Sequence, residues 1–403
     1  MTLDMHYDSV QCRCHGTVRE KIITLNMKSI YNLSPTNKMI IRNKFFLISL
    51  LTMSLLLLLG CSYDGNQSTF DPKGPVAEMQ GFLFDVLIWV MAIVFVIVEF
   101  VLVYAAIKFR HKPGNPLPKQ THGNTTLEVA WTIIPTILIL GLGIWSVQVL
   151  WDLEKPPADS DPLVVVATGH QWWFEFNYPD AANGKSITTA NELKIPVGRP
   201  ISLSLSSDDV IHSFWVPKLA GKQDMVPTRE NPLWFMADEE GYYYGQCAEY
   251  CGTQHAQMKF GVKAVSEQEY LEWVAGYGEA PELSDEAKLG QQIFAGKGQC
   301  ITCHSAAGAD SDALVQARVN GFLSGSAIAP GPNLTDLATR NLFAAGIYDR
   351  NSENLKAWIT NPDELKYGNY MSKLAQIYQT DDGNASLTDS EIEALVEYLQ
   401  SLK

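Results

Sequence analysis

The stretch Gly245-Gln246-Cys247-Ala248-Glu249-Tyr250-Cys251-Gly252-Thr253-Gln254-His255-Ala256-Gln257-Met258 decides how this chain is read. It sets two thiols, an imidazole and a thioether in one short loop. Just before it, Tyr242–Gly245 has the aromatic composition of a β-strand. Soft sulfur donors with imidazole select copper or zinc over hard cations. A zinc site more often gathers four Cys or His ligands and no methionine. A mononuclear blue-copper site needs one cysteine, two histidines and a weak axial methionine. The second cysteine is surplus to that set and points to two copper ions bridged by two sulfurs. The other histidine is supplied upstream by Val210-Ile211-His212-Ser213-Phe214-Trp215. A Cys247–Cys251 disulfide is the alternative, but it leaves His212, His255 and Met258 without a purpose.

Upstream of this loop, Leu163–Ala167 and Ile201–Leu205 read as further strands, with Gly, Pro, Asn and Asp between the runs. Two long apolar stretches come earlier, Val86–Ile107 and Trp131–Leu150. Each is long enough, at about 1.5 Å per residue, to cross a bilayer core. Lys108, Arg110, Lys112 and Lys119 lie between them, with no acidic residue before Glu128. The positive-inside rule puts that loop in the cytoplasm and both chain ends outside. Glu99 falls well inside the first stretch, where an ionisable group is costly and faces protein. Met39–Cys61 reads as an export signal: Arg42 and Lys44 precede the apolar Phe45–Leu59. Cys12, Cys14 and His15 precede that signal and are expected to be absent from the mature protein.

Downstream, Gly276–Ser284 is rich in Gly, Glu, Pro and Ser and reads as a linker. Helices are predicted over Asp285–Ala295 and Ser352–Thr360. Thr388-x-x-Glu391 is a capping box that opens a last helix to Leu402. Between them, Cys300-Ile301-Thr302-Cys303-His304 is the c-type haem attachment motif, with two thioether cysteines and a proximal histidine. No histidine follows His304, and the only methionine after Met258 is Met371, so Met371 is the candidate sixth ligand.

The loop and His212 together resemble the CuA centre of cytochrome c oxidase subunit II. The likeness extends to Gly169-His170-Gln171-Trp172-Trp173-Phe174 and to Leu127-Glu128-Val129-Ala130-Trp131-Thr132-Ile133-Ile134-Pro135, and covers roughly residues 82–270. It implies copper ligation by His212, Cys247, Glu249 through its backbone carbonyl, Cys251, His255 and Met258. It also implies a magnesium ion reached by the Glu249 side chain at the contact with subunit I. Glu128 would lie at the mouth of a proton path. Trp172 would lie near the copper on the donor-facing surface, a face that a fused haem domain is placed to cover. Leu58-Leu59-Gly60-Cys61 resembles a lipobox, which implies lipid attachment at Cys61; an uncleaved anchor is the alternative. Gly331-Pro332-Asn333-Leu334 and the Lys366–Met371 loop resemble segments of class I cytochromes c. There the proline carbonyl accepts a hydrogen bond from the proximal histidine. The proline usual after the axial methionine is replaced here by Ser372.

The expected architecture is a multidomain membrane protein. It comprises an upstream extension and signal over 1–61, a transmembrane hairpin over 82–155, a cupredoxin-like β-sandwich over 160–275 and an all-α cytochrome c domain over 285–403. The expected function is electron input to a proton-pumping oxidase in a bacterial cell membrane, from haem to copper to subunit I. The partners are the other oxidase subunits and cytochrome c or another donor. With 30 basic against 44 acidic residues the net charge is −14, which argues against nucleic acid. Three other readings stay open: a nitric oxide reductase copper subunit, a copper-delivery lipoprotein, and a free multi-centre electron shuttle.

Overall fold

The computed structural model describes residues 65–111, 122–307 and 331–403, with a few isolated positions in 44–52 and 114–120. The lipobox at Cys61, the signal, the early Cys12–His15 cluster, Lys112 and Lys119 lie outside the described residues. So does most of the segment after Ser305.

Two helices come first, α1 (Pro75–Lys108) and α2 (Thr125–Asp152). Their apolar windows have no buried residue, so Phe100, Ile107, Ile134 and Leu140 face outward. A stripe of large apolar side chains that size is paid for by lipid, not water. Pro135 inside α2 removes one backbone donor. Thr132 and Thr136 donate their hydroxyls to the carbonyls of Glu128 and Thr132, at 2.8 and 2.7 Å, so that neither hydroxyl is left unpaired. Both helices outrun their apolar stretches. The first turns of α1 pack on the β domain, where Val76 and Ala77 are buried.

The β domain holds ten strands, β1 (Leu163–His170), β2 (Trp173–Ala182), β3 (Lys185–Ala190), β4 (Glu192–Pro196), β5 (Ile201–Ser207), β6 (His212–Trp215), β7 (Gln223–Met225), β8 (Asn231–Phe235), β9 (Gly241–Cys247) and β10 (Lys259–Val265). They form two five-stranded sheets, ordered β3-β2-β1-β5-β8 and β4-β10-β9-β6-β7. Pairing is antiparallel except for β1 with β5 and β10 with β4. Alternate residues of β1 and β5 (Leu163, Val165, Ala167; Ile201, Leu203, Leu205) point inward, as period two requires. Phe174, Phe176, Phe214, Phe235 and Phe260 fill the space between the sheets. Phe260 lies 4.6 Å, ring centre to ring centre, from both Phe174 and Phe214. This is the cupredoxin-like sandwich expected from the sequence.

After α3 (Glu267–Gly276) the chain enters a helical region with α4 (Asp285–Ala295), α5 (Ser352–Thr360), α6 (Pro362–Leu365), α7 (Tyr370–Leu374) and α8 (Asp389–Ser401). A two-residue ribbon, β11 (Leu342–Phe343) with β12 (Tyr348–Asp349), interrupts it. The capping box at Thr388 and Glu391 forms as predicted. Helices α4 and α8 cross at Gly290, where a Cβ would meet the Ala394 carbonyl at 1.9 Å. The rings of Phe294 and Tyr398 meet edge to face beside the crossing.

Candidate metal centre and haem pocket

Strand β9 delivers Cys247 at its end, the loop to β10 carries Glu249, Cys251, His255 and Met258, and His212 opens β6. The Sγ atoms of Cys247 and Cys251 stand 3.8 Å apart. That is nearly twice a disulfide bond length, and neither cysteine is bonded to another. His212 Nδ1 lies 3.9 Å from Cys247 Sγ, and His255 Nδ1 lies 3.6 Å from Cys251 Sγ. Met258 Sδ is 3.8 Å from Cys251 Sγ, and the Glu249 carbonyl is 3.2 Å from Cys247 Sγ. All six residues singled out in the sequence therefore bring a donor atom to one cluster. The donor atoms of His212, Cys247 and Cys251 all lie within 4.8 Å of one another, close enough to hold an ion.

The electrostatics suit soft cations. The Cys251 thiol beside Cys247 pulls the Cys247 pKa down, and the Cys247 thiolate pushes that of Cys251 up. Burial opposes protonation of His212, but hydrogen bonds to Asp209 and to Cys247 outweigh it and raise its pKa. Its Nε2–H donates to Asp209 Oδ1 at 2.8 Å, which turns Nδ1 toward the thiols. Burial likewise opposes ionisation of Asp209. Its bonds to His212 and to the backbone N–H groups of Val210 and Gln171 win, and its pKa falls. Asp209 was not flagged in the sequence, although a carboxylate three residues before a candidate ligand histidine is a usable signal. Gly169 leaves room for His212, since a Cβ there would meet the imidazole at 2.7 Å.

Cys300, Cys303, His304 and Met371 line one cavity of about 400 Å³, whose wall Trp172, Trp173 and Gln254 of the β domain complete. His304 Nδ1 lies 2.8 Å from the Pro332 carbonyl, which fixes the plane of the imidazole ring. Gly331 must be bare because a Cβ would meet His304 at 2.6 Å. Burial pushes the Cys300 thiol up to about 12, so it is held as a thiol and not as a free nucleophile. Apolar walls, two thiols and one oriented imidazole fit a haem. The replacement of proline by Ser372 is compensated locally. Asn369 Oδ1 accepts from Ser372 N–H at 2.8 Å, and Ser372 donates its hydroxyl to Asp363 at 3.0 Å.

The two regions are docked on one another. Trp172 is only 7% exposed, because the Tyr370 ring stacks on it at 4.9 Å. Thr189 bonds to Asp336, which is also ion-paired with Arg340. Asn341 N–H donates to Glu192, and Lys259 N–H to the Ala345 carbonyl. Lys366 is buried in the same interface, and burial lowers its pKa to about 7. Glu128 stands exposed in the first turn of α2 and Glu99 exposed along α1, neither gathered into a cluster among the described residues.

Residues 62–149 match the family "Cytochrome C oxidase subunit II, transmembrane domain", 163–265 the family "Cytochrome C oxidase subunit II, periplasmic domain", and 287–403 the family "Cytochrome c". The chain is 36% identical to the cytochrome c oxidase subunit 2 of Alkalihalophilus pseudofirmus, over 90% of this chain and 97% of that one. It is 35% identical to the subunit of the same name from Bacillus subtilis, over 89% and 97%. A quinol oxidase subunit 2 of Bacillus spizizenii is 38% identical over 59% of this chain and 74% of that one. The solved periplasmic domain of subunit II of cytochrome oxidase from Bradyrhizobium japonicum is 34% identical, covering 30% of this chain and 94% of that one at a TM-score of 0.27. Hairpin, copper loop and cytochrome region thus agree with relatives matched almost end to end: this chain belongs to the subunit II family of cytochrome c oxidase, as part of that enzyme complex, and carries a cytochrome c domain at its C-terminal side.

Proposed function

We propose that this chain is the electron-input subunit of a proton-pumping oxidase in a bacterial cell membrane. Electrons are accepted at a covalently held c-type haem, pass to a dinuclear copper pair and leave for subunit I, where oxygen becomes water. The observation that supports this most is the convergence of six donor atoms, two of them thiols 3.8 Å apart, beside a haem-sized cavity. Cys300 and Cys303 would hold the haem by thioethers, with His304 and Met371 on the iron. His212, Cys247, Glu249, Cys251, His255 and Met258 would hold the coppers. When bound, these groups supply one-electron couples whose potentials follow their ligands.

The chain's own residues orient and insulate those ligands. The Pro332 carbonyl fixes the His304 ring, and Asp209 fixes the His212 tautomer. His212, Cys247, Cys251 and Met258 are buried, which keeps water from the copper loop. Tyr370 covers Trp172, so cytochrome c or another donor meets the helical domain first. Beyond this, Glu128 would open a proton path, and the exposed Glu249 carboxylate would reach a magnesium ion at subunit I. Cys61 would anchor a chain whose two ends lie outside.

The test is metal and haem content of the purified complex together with its EPR spectrum. Two coppers and one covalent haem per chain are expected, with hyperfine structure from an electron shared over both copper nuclei. One copper with single-nucleus structure would overturn the dinuclear assignment.

A further inference from the structure

Tyr370 is the residue before Met371, at the first position of α7, and it is half-buried. Its ring lies on Trp172, with planes 29° apart. The Trp172 indole Nε1–H donates to the Cys251 carbonyl at 3.0 Å. The Tyr370 hydroxyl donates to Gln171 Oε1 at 2.9 Å, and Gln171 Nε2 donates to that same Cys251 carbonyl at 2.8 Å. Two routes therefore leave one side chain, one through stacked rings and one through hydrogen bonds. They rejoin on the residue whose thiol stands at the centre of the donor cluster.

The loop that carries Tyr370 is fastened to the copper loop itself. Gln254, 2% exposed between Cys251 and His255, donates through Nε2 to the carbonyls of Lys366 and Tyr367 at 3.1 and 2.9 Å. Asn369 Nδ2 also donates to the Lys366 carbonyl, at 2.8 Å. Contacts elsewhere in the interface, such as Thr189 with Asp336 and Glu192 with Asn341, join residues outside the copper loop and serve to hold position.

We infer that Tyr370 couples the haem site to the copper site electronically, with Trp172 and Gln171 as its two contacts on the copper side. The inference rests on the electron-input reading above. Tunnelling decays far more steeply across a gap than along bonded or closely packed atoms, and Tyr370 closes the gap between Met371 and Cys251. One electron leaves the iron, which passes from ferrous to ferric, and one arrives at the copper pair. No bond forms or breaks at Tyr370, no proton moves, and the phenol stays neutral.

The test uses the intact complex, with the haem reduced by a light-activated ruthenium reductant. Haem reoxidation and copper reduction are followed by their separate absorption bands. Tyr370→Leu removes both routes and should slow internal transfer by an order of magnitude or more. Tyr370→Phe keeps the stack, loses only the Gln171 bond, and should restore most of the rate. The haem potential and the weak far-red band of its sulfur–iron bond should stay put in both, which a displaced Met371 would not allow. If Tyr370→Leu does shift them, Trp172→Leu decides, since it leaves α7 intact: slowed transfer supports the role and unchanged transfer overturns it. Normal transfer in Tyr370→Leu, with both cofactors at full occupancy, also overturns it. Absence of any haem-to-copper transfer in the unaltered protein would instead overturn the electron-input reading, and the role of Tyr370 with it.

Discussion

In the β domain the candidate ligands already lie against one another, sulfur to sulfur at 3.8 Å and imidazole to sulfur at 3.6 Å, above a core filled by phenylalanines. In the helical domain Cys300, Cys303, His304 and Met371 stand on the walls of a cavity of about 400 Å³, and the apolar core wraps around that space. The first domain closes its core without help from a metal, so metal binding there adds chemistry to a finished fold. In the second, the proposed haem would complete the core, so binding and folding would be coupled. Copper and haem should therefore differ in what their loss does to the protein.

The largest effect is expected from Cys300→Ser with Cys303→Ser. Covalent haem should vanish, and the helical domain should lose its cooperative melting transition. The β domain should keep its own transition and its copper. Haem staining, copper analysis and calorimetry on one sample would check this; an unchanged helical transition would break the comparison. Next comes Phe260→Ala, which empties the centre of the phenylalanine cluster and should cost about 3–5 kcal/mol of β-domain stability. The haem spectrum should not move, and denaturant melts followed by tryptophan fluorescence would measure the loss.

A smaller effect belongs to Asp209→Asn. Losing the carboxylate frees the His212 tautomer and should weaken copper binding by about 10–100-fold, the usual range for an outer-shell partner. Chelator competition would measure it, and unaltered affinity would mean that packing against Gly169 orients the ring alone. The smallest is Thr388→Ala, which removes one half of the α8 capping box. It should cost about 1 kcal/mol, visible in the helical transition only.

The copper loop was legible because five of its six donors are close in sequence, and His212 needed only a strand ending nearby. Helices Asp285–Ala295 and Ser352–Thr360 carry their own start signals, and the structure gives them the predicted bounds. The first helix was read as Val86–Ile107 and runs Pro75–Lys108. Its extra turns contain Glu78, Gln80 and Asp85, which hydropathy scores as loop, yet they are helical where the chain packs on the β domain. Tyr370 and Trp172 lie far apart in the chain, and neither residue carries a spacing signal for the other. Only the docked fold brings the rings together. For the same reason the burial of Lys366 could not be seen, since its neighbours are the carbonyls of Trp172 and Ala344.

At the top of α1, Gly74 packs so closely that a Cβ would meet the Met236 carbonyl at 1.9 Å. Lys73 N–H donates to the Lys218 carbonyl at 2.8 Å, and its own carbonyl accepts from Asp238 N–H at 3.0 Å. The helix then continues for 34 residues, about 50 Å, without a break. It works like a mast stepped into the β domain rather than like a tether. A tilt that bilayer thickness imposes on α1 would therefore reach the β domain rather than be absorbed at a flexible joint.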